Sequence, residues 1–201
     1  SDVSQMAGIS KTEWSWSTLA SDFDNDGYRD IFVANGYRRD LFDGDIQQKQ
    51  EMYIRANMSR YNSAEEMFEK GFKDYMSIYD PIKVRNYLFK NKGGLKFENV
   101  SEAWGFKDST FSNGAAVADF DNDGDLDLVI NNLDGESDLY ENVTDKKNNY
   151  LRLKMEGPAQ NRDGIGAKIS LYYEGKLQQF FQQKTVRGYL SSNDPVVHFG
   201  V

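Results

Sequence analysis

Residues 119–127 read Asp-Phe-Asp-Asn-Asp-Gly-Asp-Leu-Asp, and residues 22–30 read Asp-Phe-Asp-Asn-Asp-Gly-Tyr-Arg-Asp. In both stretches carboxylates stand at positions one, three, five and nine, and a glycine stands at position six. Alternate carboxylates in a curling chain converge on one centre, and the glycine permits the bend that brings the carbonyl of residue seven into reach. Calcium, a hard cation, prefers such oxygen donors. The sequence therefore predicts two calcium loops.

The predicted ligands are the four carboxylates of each loop and the backbone carbonyl at position seven. They are Asp22, Asp24, Asp26, Tyr28 and Asp30 in the first loop, and Asp119, Asp121, Asp123, Asp125 and Asp127 in the second. The alternative is that Asp, Asn and Gly simply form polar hairpin turns. Five donors at alternate positions, occurring twice, favour metal binding, because a turn needs fewer of them and crowded carboxylates repel one another.

The residues around each loop argue against an EF-hand, which needs a bidentate Glu at position twelve and a helix on each side. Position twelve is Val33 in the first loop and Ile130 in the second. An apolar, β-forming run follows each loop, and a small or apolar run precedes it. Each loop is therefore expected to join one strand to the next.

A longer repeat surrounds the loops. Residues 86–101 read as two short alternating strands about a Gly-Gly turn, and residues 137–142 echo residues 85–91. The repeating unit is four short strands, as in one blade of a β-propeller. The predicted fold is mainly β: a partial β-propeller of about two blades, with a helical insertion and a C-terminal antiparallel β domain.

The two loops begin 97 residues apart (119 − 22), about twice the length of a four-stranded blade. Residues 36–83 are charged and rich in Met and Tyr, and residues 63–66 form a capping box. We expect helices from near Asp45 and from Ser63. The apolar stripe of the second helix either docks on the propeller or binds a partner, since insertions often carry recognition.

The C-terminal region alternates polar and apolar residues over 150–155, 167–173 and 176–180, with a tight turn at Glu174-Gly175. This pattern predicts a half-buried antiparallel sheet. Its glycines either serve backbone geometry or line a ligand groove. We predict a propeller part at residues 1–145 and a separate β domain at 146–201.

Part of the chain resembles the FG-GAP and VCBS repeats of calcium-binding β-propellers, which are related to integrin α-subunit blades. The matching motifs are the second loop with its flanks (118–128), Leu-Phe-Lys-Asn at 88–91 and Phe-Glu-Asn-Val-Ser at 97–101. A second part is similar to the ASPIC/UnbV domain, which follows such repeats in bacterial surface proteins. The matching motifs are Asn-Arg-Asp-Gly-Ile-Gly-Ala-Lys at 161–168, Arg-Gly-Tyr-Leu-Ser-Ser at 187–192 and His-Phe-Gly at 198–200.

These resemblances imply two calcium ions and a position among the last blades of a larger protein, with an ASPIC/UnbV domain that continues beyond Val201. The chain has 201 residues, a formal net charge of −8 and no cysteine. Such acidity disfavours nucleic acid and anionic lipid as partners. No segment has the form of a signal peptide or a membrane span, so a mature form or a fragment is expected.

We expect a non-catalytic binding or adhesion module that is extracellular, either secreted or on a bacterial outer membrane. Its partner would be an unknown protein or glycan. The sole histidine, His198, lies in an alternating run and is expected to serve as a structural hydrogen-bonding group. A glycosidase remains an alternative, because two carboxylates would suffice for it. A purely structural scaffold is the third possibility.

Overall fold

The computed structural model describes residues 2–40, 44–144 and 147–201, and these residues are mainly β, as predicted. The strands are β1 (Ser15–Ser21), β2 (Asp30–Asn35), β3 (Val84–Arg85), β4 (Tyr87–Asn91), β5 (Phe97–Asn99), β6 (Ser109–Thr110), β7 (Ser112–Ala118), β8 (Asp127–Asn132), β9 (Asp138–Tyr140), β10 (Tyr150–Leu153), β11 (Lys168–Tyr173), β12 (Lys176–Gln182), β13 (Ser192–Asn193) and β14 (Val197–Gly200). The helices are α1 (Ser4–Ala7), α2 (Ile46–Asn57) and α3 (Ala64–Met76), with a 3₁₀ turn at Met58–Arg60.

The chain forms two compact units, one of Ser1–Gly36 with Val84–Val201 and one of Tyr37–Lys83. The first unit contains two four-stranded sheets, in the orders β1-β2-β4-β5 and β13-β7-β8-β9. Neighbouring strands in each sheet are antiparallel, except that β13 runs parallel to β7. Each predicted loop connects two paired strands, since Ser21 lies opposite Asp30 and Ala118 opposite Asp127. The expectation that each loop joins strand to strand is therefore confirmed.

One apolar core serves both sheets. Leu19 of β1, Phe32 of β2 and Ile130 of β8 have no exposed surface, and all three belong to a single packed cluster. Side chains of a strand point alternately to its two faces. In β1 this alternation buries Ser17, Leu19 and Ser21 and leaves the residues between them exposed.

The C-terminal strands differ from the prediction of a single sheet. Strands β11 and β12 form a hairpin, but β10 pairs with β14 instead. The segment between β10 and β11 closes on itself through a 2.8 Å hydrogen bond from Gly157 N–H to the Arg162 carbonyl. Alternation identifies strands but not their partners, so the sequence could not show that the β10 partner is the strand with His198. The predicted domain division stays a prediction, and residues 145 and 146 lie outside the described residues.

The second unit contains the two helices expected in residues 36–83. Ser63 caps α3, because its hydroxyl accepts a 3.1 Å hydrogen bond from Glu66 N–H. Glu66 in turn accepts one of 2.8 Å from Asn62 N–H, so the two side chains satisfy one backbone donor in the first turn of the helix and one just before it. Within this unit Tyr75 packs edge-on against Tyr53 and Phe68. None of the helices in the described part of the chain has the length and apolar character needed to cross a bilayer.

The shared core of the first unit predicts an asymmetry between neighbouring strands. Ile130→Ala on β8 should lower the free energy of unfolding by about 2 to 5 kcal/mol, because it removes a fully buried side chain. Leu139→Ala on adjacent β9, where the side chain is 66% exposed, is the control and should change it by less than about 0.5 kcal/mol. Urea denaturation of both variants measures this difference, and equal losses would contradict the assignment of the core.

Candidate metal centres

Each predicted loop brings three of its carboxylates together. One carboxylate oxygen each from Asp22, Asp24 and Asp30 lie within 4.8 Å of one another. The equivalent oxygens of Asp119, Asp121 and Asp127 converge in the same way in the second loop. Calcium–oxygen distances of about 2.3 to 2.6 Å place opposite ligands at most about 5 Å apart. Both clusters therefore have the dimensions of a calcium shell.

The carboxylate at position one holds the bend of each loop. Asp22 accepts backbone hydrogen bonds from Asp26 at 3.1 Å and from Gly27 at 2.9 Å. Asp119 accepts the equivalent pair from Asp123 and Gly124, both at 3.2 Å. The chain curls around the position-one side chain before any ion is considered. The two loops are thus copies in geometry as well as in sequence.

The carboxylate at position nine is held by an asparagine from further along the chain, which is Asn91 at the end of β4 in the first loop and Asn142 just after β9 in the second. Asp30 accepts a 2.8 Å hydrogen bond from the backbone of Asn91, and Asp127 accepts one of the same length from Asn142. The side-chain amides of these asparagines donate to the carbonyls at position eight. Sequence reasoning did not give Asn91 and Asn142 this role, although the echo between residues 85–91 and 137–142 contains both.

The remaining predicted ligands are less uniform. The convergent groups do not include the position-five residues, and Asp26 and Asp123 each accept a hydrogen bond from the backbone of position seven. At position seven, Tyr28 is half exposed, whereas the Asp125 side chain is buried. The sequence assigned only a backbone carbonyl to Asp125, so the burial of its carboxylate is an addition from the structure.

Burial affects the acid–base behaviour of the first loop. Asp30 has no exposed surface and Asp22 almost none. Desolvation raises the pKa of Asp22 to about 6, with the nearby Asp26 charge adding to the rise. It also raises the pKa of Asp30 to about 7, helped by the charges of Asp22 and Asp26. Ionising these carboxylates therefore costs more than ionising exposed ones, and a nearby countercharge would lower that cost.

Hydrogen bonds join the two loops. The Asn25 side-chain amide donates to the Gly124 carbonyl at 3.1 Å, which links position four of the first loop to position six of the second. The Asn142 amide donates both to Leu126 of the second loop and to Phe23 of the first. A shift in one loop therefore displaces partners of the other.

The C-terminal strand β14 lies directly against the first loop. His198 Nε2 is 2.6 Å from Asn25 Oδ1, and burial lowers the pKa of His198 to about 4, so the ring is neutral at pH 7. Its Nε2 therefore carries the proton and donates to the amide oxygen. Asp22 also accepts a backbone hydrogen bond from Gly200, and a Cβ added at Gly200 would stand 2.2 Å from Asp22 Oδ2. His198 thus makes a hydrogen bond of the kind predicted for it, and its structural role stays a prediction.

Each loop also meets one basic side chain that sequence reasoning missed. The Lys90 ammonium contacts Asp24 and lies 3.2 Å from Asp26 Oδ2. In the second loop, Arg152 of β10 donates to Asp119 at 2.7 Å. The residue that corresponds to Lys90 in the second loop is Glu141. Each of the two directly precedes the asparagine that holds the position-nine carboxylate. The residues at this one position are therefore opposite in charge, although Arg152 supplies a cation to the second loop from β10.

These residues fit calcium. Asp24 Oδ1 is buried and has no hydrogen-bond partner among the described residues, as expected for an oxygen whose partner is a metal. All donors in the two clusters are carboxylates, which suit calcium and magnesium better than zinc or copper. A loop with three to five donors and a flexible frame favours the larger ion, because magnesium demands a near-ideal octahedron.

Comparison with known proteins supports the resemblances seen in the sequence. Residues 70–130 match the model of the FG-GAP-like repeat, and residues 157–201 match that of ASPIC and UnbV. The predicted order of these two resemblances is confirmed. The FG-GAP-like match includes the second loop, whereas the first loop lies outside both matches.

The chain is also similar to a longer animal protein. Over 87 residues it is 31% identical to cartilage acidic protein 1 of Xenopus tropicalis, which covers 43% of this chain and 12% of that protein. The chain thus spans about an eighth of the length of this relative. The similarity by itself identifies neither a ligand nor an activity.

The raised pKa values of Asp22 and Asp30 predict opposite pH trends with and without calcium. Between about pH 4 and 7 these two carboxylates bind more protons in the calcium-free folded chain than in the unfolded chain, so their contribution to stability should fall as pH rises. Calcium requires both carboxylates ionised, so the stabilisation it adds should grow over the same range. Melting temperatures of calcium-depleted and calcium-loaded protein at pH 5, 6 and 7 measure both trends. A gap between the two curves that does not change with pH would contradict the assignment.

The Lys90 contact predicts that the first loop binds calcium less tightly than it would without this ammonium group. Lys90→Met keeps most of the aliphatic stem but removes the charge between Asp24 and Asp26, so calcium affinity of the first loop should rise by about tenfold. Lys92→Met is the matched control, because Lys92 pairs with Glu98 outside the loop. Calorimetric calcium titrations of the two variants decide this. Unchanged or reduced affinity in Lys90→Met would mean that the ammonium does not oppose the ion.

Proposed function

We propose that this chain is a non-catalytic, calcium-binding module for binding or adhesion, in a secreted or cell-surface protein. The observation that carries this proposal is the matched pair of loops, each with three convergent carboxylates in the same hydrogen-bonded frame. We expect one calcium ion in each loop. The ligands are those predicted from the sequence, with carboxylates at positions one, three, five and nine and a carbonyl at position seven.

We further propose that the two four-stranded sheets are two blades of a β-propeller. Each sheet has a metal loop between its first two consecutive strands, β1 and β2 in one and β7 and β8 in the other. The sheets share one apolar core, as neighbouring blades do. The similarity of residues 70–130 to the FG-GAP-like repeat supports the same interpretation.

Bound calcium would supply positive charge at the centre of each loop. The chain's own residues do the remaining work: the position-one aspartates hold the bend, and Asn91 and Asn142 fix the position-nine carboxylates. Because Asn25 and Asn142 connect the loops, ordering one loop also orders contacts of the other. The module is then a rigid scaffold only when its carboxylates are neutralised.

An extracellular location suits such sites. Calcium modules of the weaker class bind at about 10⁻⁴ to 10⁻³ M, a range that is filled outside cells and empty inside them. The net charge of −8 and the similarity to part of a cartilage acidic protein agree with this location. A protein or glycan at the cell surface is the expected class of partner.

The non-catalytic part of the proposal has its own support. The buried carboxylates with raised pKa values, Asp22 and Asp30, are held by backbone donors inside a metal loop. His198 is neutral and hydrogen-bonded to Asn25. Groups that would otherwise be candidates for acid–base catalysis thus have structural partners.

Removal of calcium should destabilise the chain. At free calcium of about one hundred times the dissociation constant, each site should contribute about 2.7 kcal/mol, so a chelator should lower the melting temperature. Asp123→Ala should weaken the second site and reduce the chelator effect, whereas Asp163→Ala, an exposed acid outside the loops, should leave it unchanged. Differential scanning calorimetry with and without chelator measures these effects. Identical melting curves with and without chelator would contradict the proposal that calcium stabilises the fold.

A further inference from the structure

We propose that the groove between the first metal loop and the β11–β12 hairpin binds a neutral saccharide. This site depends on the calcium-binding function proposed above and adds a ligand class to it. The groove has a volume of about 480 Å³, within the range of about 300 to 1,000 Å³ that is usual for ligand sites. Its walls include Asp26, Tyr28, Tyr172, Tyr173, Gln178 and Gln179.

Three tyrosines give the groove aromatic walls that are open to solvent. Tyr28, Tyr172 and Tyr173 are each more than half exposed. A tyrosine ring presents an apolar face and a polar hydroxyl, and such amphipathic rings are common where a ligand is partly wet. The apolar C–H face of a sugar ring can stack on such a ring while its hydroxyls remain hydrogen-bonded.

An irregularity in the hairpin lies beside the groove and redirects Gln178 relative to Gln179. In a regular strand Tyr172 and Tyr173, or Gln178 and Gln179, would point to opposite faces. The pairing shifts here, since Leu171 lies opposite Gln179 but Tyr172 lies opposite Leu177. Gln178 is therefore the extra residue of a β-bulge, a feature that redirects side chains and is frequent beside functional sites.

The polar groups of the groove favour a neutral polyol. Among its described lining residues one is acidic, Asp26, and none is basic, which favours an uncharged ligand over a phosphate, sulfate or uronate. Gln178 contributes an exposed side-chain amide, which carries both donors and an acceptor, whereas Gln179 is buried at the base of the hairpin wall. The Gln179 amide nitrogen already donates to the Gly200 carbonyl at 2.7 Å, which fixes the orientation of this side chain.

One wall of the groove belongs to the first metal loop. Asp26 Oδ1 accepts a 2.9 Å hydrogen bond from Tyr28 N–H, and both residues are predicted calcium ligands, one through its carboxylate and one through its carbonyl. Holding these two groups also holds the Tyr28 ring at the edge of the groove. Calcium and saccharide should therefore each raise the affinity for the other, as thermodynamic linkage requires.

The test uses the whole 201-residue chain and a panel of neutral gluco-, manno-, galacto-, xylo- and chito-oligosaccharides. Binding is screened by saturation-transfer NMR and measured by calorimetry, in calcium and after calcium depletion. At least one oligosaccharide should bind, its affinity should fall on calcium depletion, and Tyr172→Ala should weaken it by about tenfold or more. Tyr173→Ala is a second variant with the same expectation. Melting curves establish that both variants are folded.

Phe180→Ala is the matched control, because Phe180 lies on the same hairpin with a similarly exposed ring but does not line the groove. Its saccharide affinity should equal that of the unchanged chain. If the chain binds calcium but no neutral oligosaccharide, the proposal of a saccharide site in the groove is overturned and the proposed function is left intact. Binding that survives both tyrosine variants, or selective binding of peptides or acidic oligosaccharides, would also overturn it. Absence of calcium binding would instead overturn the proposed function.

Discussion

The burial of carboxylates away from water is the constraint on which the first unit depends. Asp22 and Asp30 are almost fully removed from water, and their raised pKa values measure the cost of that position. Backbone donors lower this cost but do not remove it, since the shifts remain upward. Protons or a cation among the carboxylates would offset this cost and stabilise the folded β1–β2 connection. Calcium is the cation whose size and ligand preference match the cluster.

The two loops share one motif but have different surroundings. Their internal hydrogen bonds agree closely. In both loops the position-one aspartate holds the bend, and an asparagine from outside the loop donates to the position-nine aspartate. Their surroundings differ, because Lys90 approaches the first loop whereas Arg152 of β10 approaches the second. Sequence repetition thus reproduces the hydrogen-bonded frame, while different strands bring the basic side chains to the two loops.

The C-terminal segment has a closer relation to the loops than a separate domain would require. Strand β13 extends the second sheet beside β7, and His198 and Gly200 of β14 contact Asn25 and Asp22 of the first loop. The region similar to ASPIC and UnbV therefore completes the surroundings of the metal loops. This arrangement gives a physical reason for the two resemblances to occur together, and it places the tyrosine-lined groove beside a metal loop.

The sequence alone determined the local features, because these depend on residues close in the chain. The two loops, their strand-to-strand connection, the capping box at Ser63 and the order of the two family resemblances could all be read from it. Only the tertiary structure showed the pairing of β10 with β14, the Lys90 and Arg152 contacts and the link from Asn25 to Gly124. These contacts join residues that lie between 33 and 99 positions apart in the sequence. Alternation and motif spacing carry no information about which distant strands meet, since that choice is made by the packing of the whole core.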